Sequence, residues 1–189
     1  GASPRGVAQD SGAPNPAGAT PPTTQGTAPT PPADQTVTPA GTATDPRTFL
    51  IAAASAGQFE LAASRLAQER ATHAEVKAFA ERMIADHGKT NDELKALAAT
   101  RNIALTDELQ PTHKSDLDTL SGLQGAAFDQ AYAQRVGVQS HMSAVQMFQQ
   151  ASAEMQDAEL KAFAERTLPA LREHLDQAQK LNQNVAARS

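Results

Sequence analysis

The chain changes character at about residue 45, and that break limits what it can fold into more than any other feature. Residues 1–44 hold nine of the twelve prolines, six of the eleven glycines and only three charges, Arg5, Asp10 and Asp34. They contain no aromatic residue, leucine, isoleucine or methionine. Such a stretch cannot bury enough apolar surface to offset the entropy lost on ordering, so the expectation is a disordered Pro/Ala/Thr-rich tail. Runs such as Thr20-Pro21-Pro22 and Thr30-Pro31-Pro32 favour extended, semi-stiff segments. The tail reads as a linker, or as a stalk that holds a domain away from a membrane or wall. A first residue of glycine fits a processed terminus.

From residue 45 the chain is rich in Ala, Leu, Glu, Gln and Arg, which favour helix, and holds all six Phe and the single Tyr. Asp45-Pro46 reads as a helix N-cap followed by proline at the first position, opening a helix to about Ala71. Thr72-x-x-Glu75 is a capping box for a second helix to about Ala99. A connection of some 20 residues follows, interrupted by Pro111, with a short helix expected over 112–120. Ser121-x-x-Gln124 is a second capping box, for a helix ending near Ala153. Asp157 caps a last long helix reaching about Asn182, kinked at Pro169, with residues 183–189 flexible. No segment alternates as a strand does.

One internal repeat ties the halves together. Lys77-Ala78-Phe79-Ala80-Glu81-Arg82 recurs as Lys161-Ala162-Phe163-Ala164-Glu165-Arg166. Two related antiparallel helical hairpins joined by a long connection predict an all-α, ferritin-like four-helix bundle over 45–182, with a long crossover between its second and third long helices.

Composition narrows the function. A net charge of -5 gives no basic stripe of the kind nucleic acids need. No apolar run approaches the ~18 residues of a membrane span. With no cysteine, the sequence offers no disulfide, thiolate zinc site or cysteine nucleophile. No Gly-x-Ser-x-Gly elbow and no phosphate-binding glycine loop is present, so no catalytic group is assigned.

The informative residues lie on the apolar stripes of the four long helices. The first stripe runs Phe49, Ala53, Ala56, Glu60, Ala63, Ala67; the second Val76, Phe79, Met83, His87, Leu94, Leu97. The third runs Ala131, Val138, His141, Val145, Phe148; the fourth Phe163, Thr167, Leu171, His174, Ala178, Leu181. Each helix therefore carries one ligand-capable side chain where an apolar one is expected. Glu60 lies twelve residues before Thr72 and His87 fifteen after it; His141 lies sixteen before Asp157 and His174 seventeen after it. Partners in each hairpin thus fall within ~5 Å of one height at 1.5 Å rise per residue.

One carboxylate and three imidazoles converging in a bundle core suit one divalent ion such as Zn, Cu or Fe. The competing reading is a buried Glu–His polar network in a non-catalytic module of the cell envelope, with an envelope protein or the cell wall as partner. A di-iron centre is disfavoured, because Ile84, Val138 and Leu171 stand where a Glu-x-x-His motif would need carboxylates. Asp86 and Glu173 adjoin two of the histidines but point about 100° round the helix, as surface charges or at best outer partners. Met83 and Met142 read as filler, although a thioether would favour copper. His73 and His113 read as solvated. Gly57 and Gly137 fall inside helices at comparable places, where they allow close helix approach.

These residues also carry a resemblance. Phe49, Phe59-Glu60 and the run Val76-Lys77-Ala78-Phe79-Ala80-Glu81-Arg82-Met83-Ile84-Ala85-Asp86-His87 resemble the bacterial domain-of-unknown-function family 4142. So do Ser121-Gly122, Phe128-Asp129-Gln130-Ala131-Tyr132, His141 and Leu168-Pro169 with His174-Leu175, the similarity covering about 47–182. The resemblance implies a ferritin-like fold, an exported protein, and a Glu and three His at the positions of Glu60, His87, His141 and His174. It implies no activity. The expectation is a periplasmic or secreted metal-binding bundle.

Overall fold

The computed structural model describes residues 45–187; the proline-rich stretch 1–44 and residues 188–189 lie outside the described part. The order of elements is α1 (Pro46–Arg70), α2 (Ala74–Ala99), α3 (Pro111–Ser121), α4 (Gly125–Ala131), a π-helical segment (Tyr132–Gln139), α5 (Ser140–Glu154) and α6 (Ala158–Ala187). The α4–π–α5 run is one continuous rod. Among the described residues there is no strand. α1 packs along α2 and the α4–π–α5 rod along α6, with the α3 connection crossing between the hairpins. This is the ferritin-like four-helix bundle.

Local signals explain the starts of the first and last helices. The Asp45 carboxylate accepts from the Thr48 amide at 3.1 Å, and Pro46 occupies the first turn. The Asp157 carboxylate accepts from the Leu160 amide at 3.2 Å and from Arg101 at 2.8 and 2.9 Å, pinning the end of α2 to the start of α6.

Both expected capping boxes are replaced. α2 is capped by His73, whose Nδ1 accepts from the Glu75 amide at 3.2 Å. Thr72 turns outward from the helix to Asp129, which accepts its hydroxyl at 2.7 Å, its amide at 3.1 Å and the His73 amide at 3.0 Å. Asp129 is buried, and a buried carboxylate takes whatever donors are in reach. Ser121 instead ends α3, its hydroxyl donating to the Leu117 carbonyl at 2.8 Å, and the next helix starts at Gly125 without a side-chain cap.

The third stripe also differs from its expected register. Ala131, Val138 and Val145 are only half-buried; Tyr132, Ala133, Val136, Gly137 and Ala144 face the core. The π segment accounts for the change up to His141: its i→i+5 bonding widens the turn, as in the Ser140 amide donating to the Arg135 carbonyl, and shifts the side chains before His141. α6 runs unbroken through Pro169. Both Pro169 and Glu165, whose carbonyl loses its partner there, are exposed, so that carbonyl turns to water. The helix extends five residues past Asn182 to Ala187 because Val185 is buried in the core.

The interior has two apolar clusters. One contains Phe59, Ala63, Val76, Phe79, Met83, Phe128, Tyr132, Val136, Ala178 and Leu181. The other contains Ala53, Leu94, Ala144, Leu171 and the ring trio Phe49, Phe148 and Phe163, with centroids 5.2–6.4 Å apart. On α2, the α4–π–α5 rod and α6 the break between clusters falls at a histidine: His87 between Met83 and Leu94, His141 between Val136 and Ala144, His174 between Leu171 and Ala178. A polar layer therefore crosses the middle of the bundle.

Candidate metal centre

α2, α5 and α6 deliver His87, His141 and His174 to this layer, and one ring nitrogen of each lies within 4.8 Å of the other two. All three are buried, and their ring centroids stand 5.4–5.6 Å apart. Nε2 of His87 faces Nε2 of His141 at 3.4 Å.

His141 is oriented by the main chain. Its Nδ1 lies 3.0 Å from the Val136 carbonyl and 2.9 Å from that of Gly137, both in the π segment. Carbonyls only accept, so Nδ1 carries a proton, and in the neutral ring Nε2 then keeps its lone pair. Gly137 also lets the rod approach α6: a Cβ there would stand 3.2 Å from that of Ala178. His174 is reached from α2, its Nε2 lying 2.7 Å from Asp86 Oδ2, while its Nδ1 is buried with no hydrogen-bond partner among the described residues. Arg82 holds the same Asp86 oxygen at 3.4 Å and Glu173 at 3.0 Å. Asp86 is thus in direct contact with a core histidine and not merely a surface charge; Glu173 remains at the surface.

Glu60 shares the layer from α1 but sits on the Nδ1 side of His141, with Oε1 3.6 Å from that nitrogen. The structure brings the three imidazoles together and leaves this carboxylate behind one of them. Neither Glu60 oxygen has a hydrogen-bond partner within 3.5 Å among the described residues. Burial pushes its carboxyl upward, opposed by the neighbouring His141 and Ser140. Burial likewise holds His87 well below the usual imidazole range, and the proximity of His141 and His174 adds to this. His174 is lowered by burial, with Asp86 opposing. Rings kept neutral in this way have lone pairs to give to an ion.

Of the two methionines near the histidines, Met83 is in the core and Met142 is exposed. His113 is not solvated: its Nδ1 lies 2.7 Å from Ser55 Oγ and its ring stacks on Phe59 at 5.3 Å. Sequence reasoning did not single out the Val136 and Gly137 carbonyls. The nine-residue step from Tyr132 to His141, with glycine four before the histidine, was the available signal.

The donor set suits a transition ion. At the ~2.0–2.1 Å zinc–nitrogen distance and tetrahedral angles, two ligating nitrogens stand ~3.4 Å apart, the separation of the His87 and His141 Nε2 atoms. The buried, unpartnered Nδ1 of His174 fits the same role.

Comparison with known proteins bears on fold and family. Among curated proteins none matches the chain. Among solved structures the fold is similar to that of CopM in its Cu(II)-bound form, with 19% sequence identity and a TM-score of 0.62 over 74% of this chain and 96% of that one. The profile of the family described as domain of unknown function (DUF4142) matches residues 30–181, which is most of the chain, and the protein belongs to that family.

Proposed function

We propose that this bundle binds one divalent transition ion through His87, His141 and His174, with Glu60 as the buried carboxylate that balances charge behind His141. The observation that carries the reading is the set of three buried ring nitrogens, from three helices, within 4.8 Å of one another. Imidazole ligands suit zinc, copper and iron alike. The similarity of fold to a copper-bound protein lends weight to copper. Three protein nitrogens leave a coordination position open, so storage, delivery or redox exchange of the ion is within reach of the site. The reading includes work outside the cytoplasm, in the periplasm or beyond it, as the family resemblance implies.

The test is elemental analysis of untagged protein beside the His87→Ala/His141→Ala double variant. About one ion per chain, lost in the double variant, is the expected result. No bound ion, with unfolding unchanged by added Zn, Cu, Fe or Mn, would leave a buried Glu–His network as the function of the layer. Location is checked separately, by fractionating cells that make the native precursor.

A further inference from the structure

We infer that Asp86 is a positioning residue for the metal centre, fixing His174 as the Nε2–H tautomer and so committing its Nδ1 to the ion. This rests on the metal-binding reading above. A carboxylate only accepts, so at 2.7 Å the Asp86 oxygen requires the proton on His174 Nε2. The neutral ring then has its lone pair on Nδ1, which is buried without a donor among the described residues. An unsatisfied buried acceptor is costly unless another group uses it. One nitrogen each of His87, His141 and His174 lies within 4.8 Å of the other two, and with Nε2 occupied by Asp86 the nitrogen that His174 has left to offer this group is Nδ1.

The geometry of Asp86 suits this task. Its side chain is 38% exposed, yet its Oδ2 contacts a ring that is 3% exposed, so it reaches from the surface of α2 into the centre. Arg82, one turn earlier, clamps that same oxygen and spans to Glu173 on α6. Those contacts limit the rotamers of Asp86 and hold its Oδ2 against His174. A carboxylate behind a ligating histidine orients the ring and raises its basicity. His141 is fixed the opposite way, its Nδ1 tied to the main chain and its Nε2 presented. The set is therefore mixed: Nε2 from His141 and Nδ1 from His174.

The experiment is two-bond 15N–1H correlation of the histidine rings in the full 15N-labelled chain, at mildly alkaline pH, first metal-free and then with one equivalent of Zn2+. Wild type, Asp86→Ala and Asp86→Asn are compared, with zinc affinity measured by chelator competition. The expected pattern is Nε2–H on His174 in the metal-free wild type and zinc on its Nδ1. Asp86→Ala loses the tautomer preference and binds zinc 10–100-fold more weakly. Asp86→Asn, whose side-chain carbonyl still accepts, recovers the tautomer and part of the affinity. Zinc on Nε2 of His174, or unchanged affinity in Asp86→Ala, overturns this assignment and leaves the metal reading standing. A wild type with the Nε2–H tautomer that binds no zinc or copper overturns both.

Discussion

Nε2 of His87 and Nε2 of His141 face each other across 3.4 Å in a layer with an apolar cluster on either side. Because His141 Nδ1 donates to the Val136 and Gly137 carbonyls, that pair can share only the proton His87 brings. An ion that takes both lone pairs replaces this single contact with two bonds to the metal. A ligand that binds only the folded chain stabilises it by ~2.7 kcal/mol at 100 times its Kd. For a domain of this size that is roughly 5–10 °C in Tm. Calorimetry of the chelator-treated chain with and without zinc should show this rise, and His141→Ala should abolish it.

A tight helix crossing gives a second expectation. A Cβ on Gly57 of α1 would stand 2.9 Å from Cγ and 3.1 Å from Nδ2 of Asn91 on α2. Asn91 is buried and neither of its amide atoms is hydrogen-bonded among the described residues. Gly57→Ala gains up to ~1 kcal/mol of helix propensity, but overpacking costs about 1–3 kcal/mol. Urea denaturation should therefore show a net loss. The double variant Gly57→Ala/Asn91→Ala should recover wild-type stability or exceed it, because it removes both the clash and an unsatisfied amide. Additive single effects would contradict the crossing.

How far the sequence could be read follows from which forces are local. Asp45 and Asp157 cap their own helices, so composition and spacing alone locate those ends. His87, His141 and His174 interrupt apolar stripes, and a one-per-helix pattern survives small errors of register. Thr72 could not be read the same way, because its partner Asp129 is 57 residues away and outcompetes the local capping box. The π segment is equally non-local: one widened turn moved Tyr132 and Val136 inward and Val138 outward without altering helix propensity. Glu60 shows the remaining limit. Spacing gives its height in the bundle, but not the side of His141 on which it stands.

Asp129 holds the α1–α2 turn from the far hairpin, accepting from two amides and one hydroxyl at 2.7–3.1 Å. Hydrogen bonds to an ionised acceptor carry more than neutral ones, and their loss leaves half-buried amides unpaired. Asp129→Ala should cost roughly 2–3 kcal/mol, read as a lower urea midpoint. Thr72→Val, which removes only the hydroxyl, should cost about 1 kcal/mol. Faster amide exchange at Thr72 and His73 in Asp129→Ala would place the damage at this turn. Equal losses in the two variants would contradict the three-donor role.

The last expectation concerns acid. Ser55 Oγ accepts from the Gln110 amide at 2.9 Å, so its own proton is free to donate to His113 Nδ1 at 2.7 Å. That bond needs a neutral ring. Burial holds His113 below the usual imidazole value, with Asp116 opposing. Between its folded pKa and the ordinary ~6.5, the unfolded chain binds more protons than the folded one, so stability rises with pH there. The contribution is complete above ~6.5 and is lost as pH falls toward the folded value. His87 and His174 act in the same direction and Glu60 in the opposite one, but all three stay in place in His113→Gln. Urea unfolding of the chelator-treated chain across pH 8 to 5 should therefore give a shallower dependence in His113→Gln than in wild type. Identical slopes would mean that His113 titrates as it does in the unfolded chain.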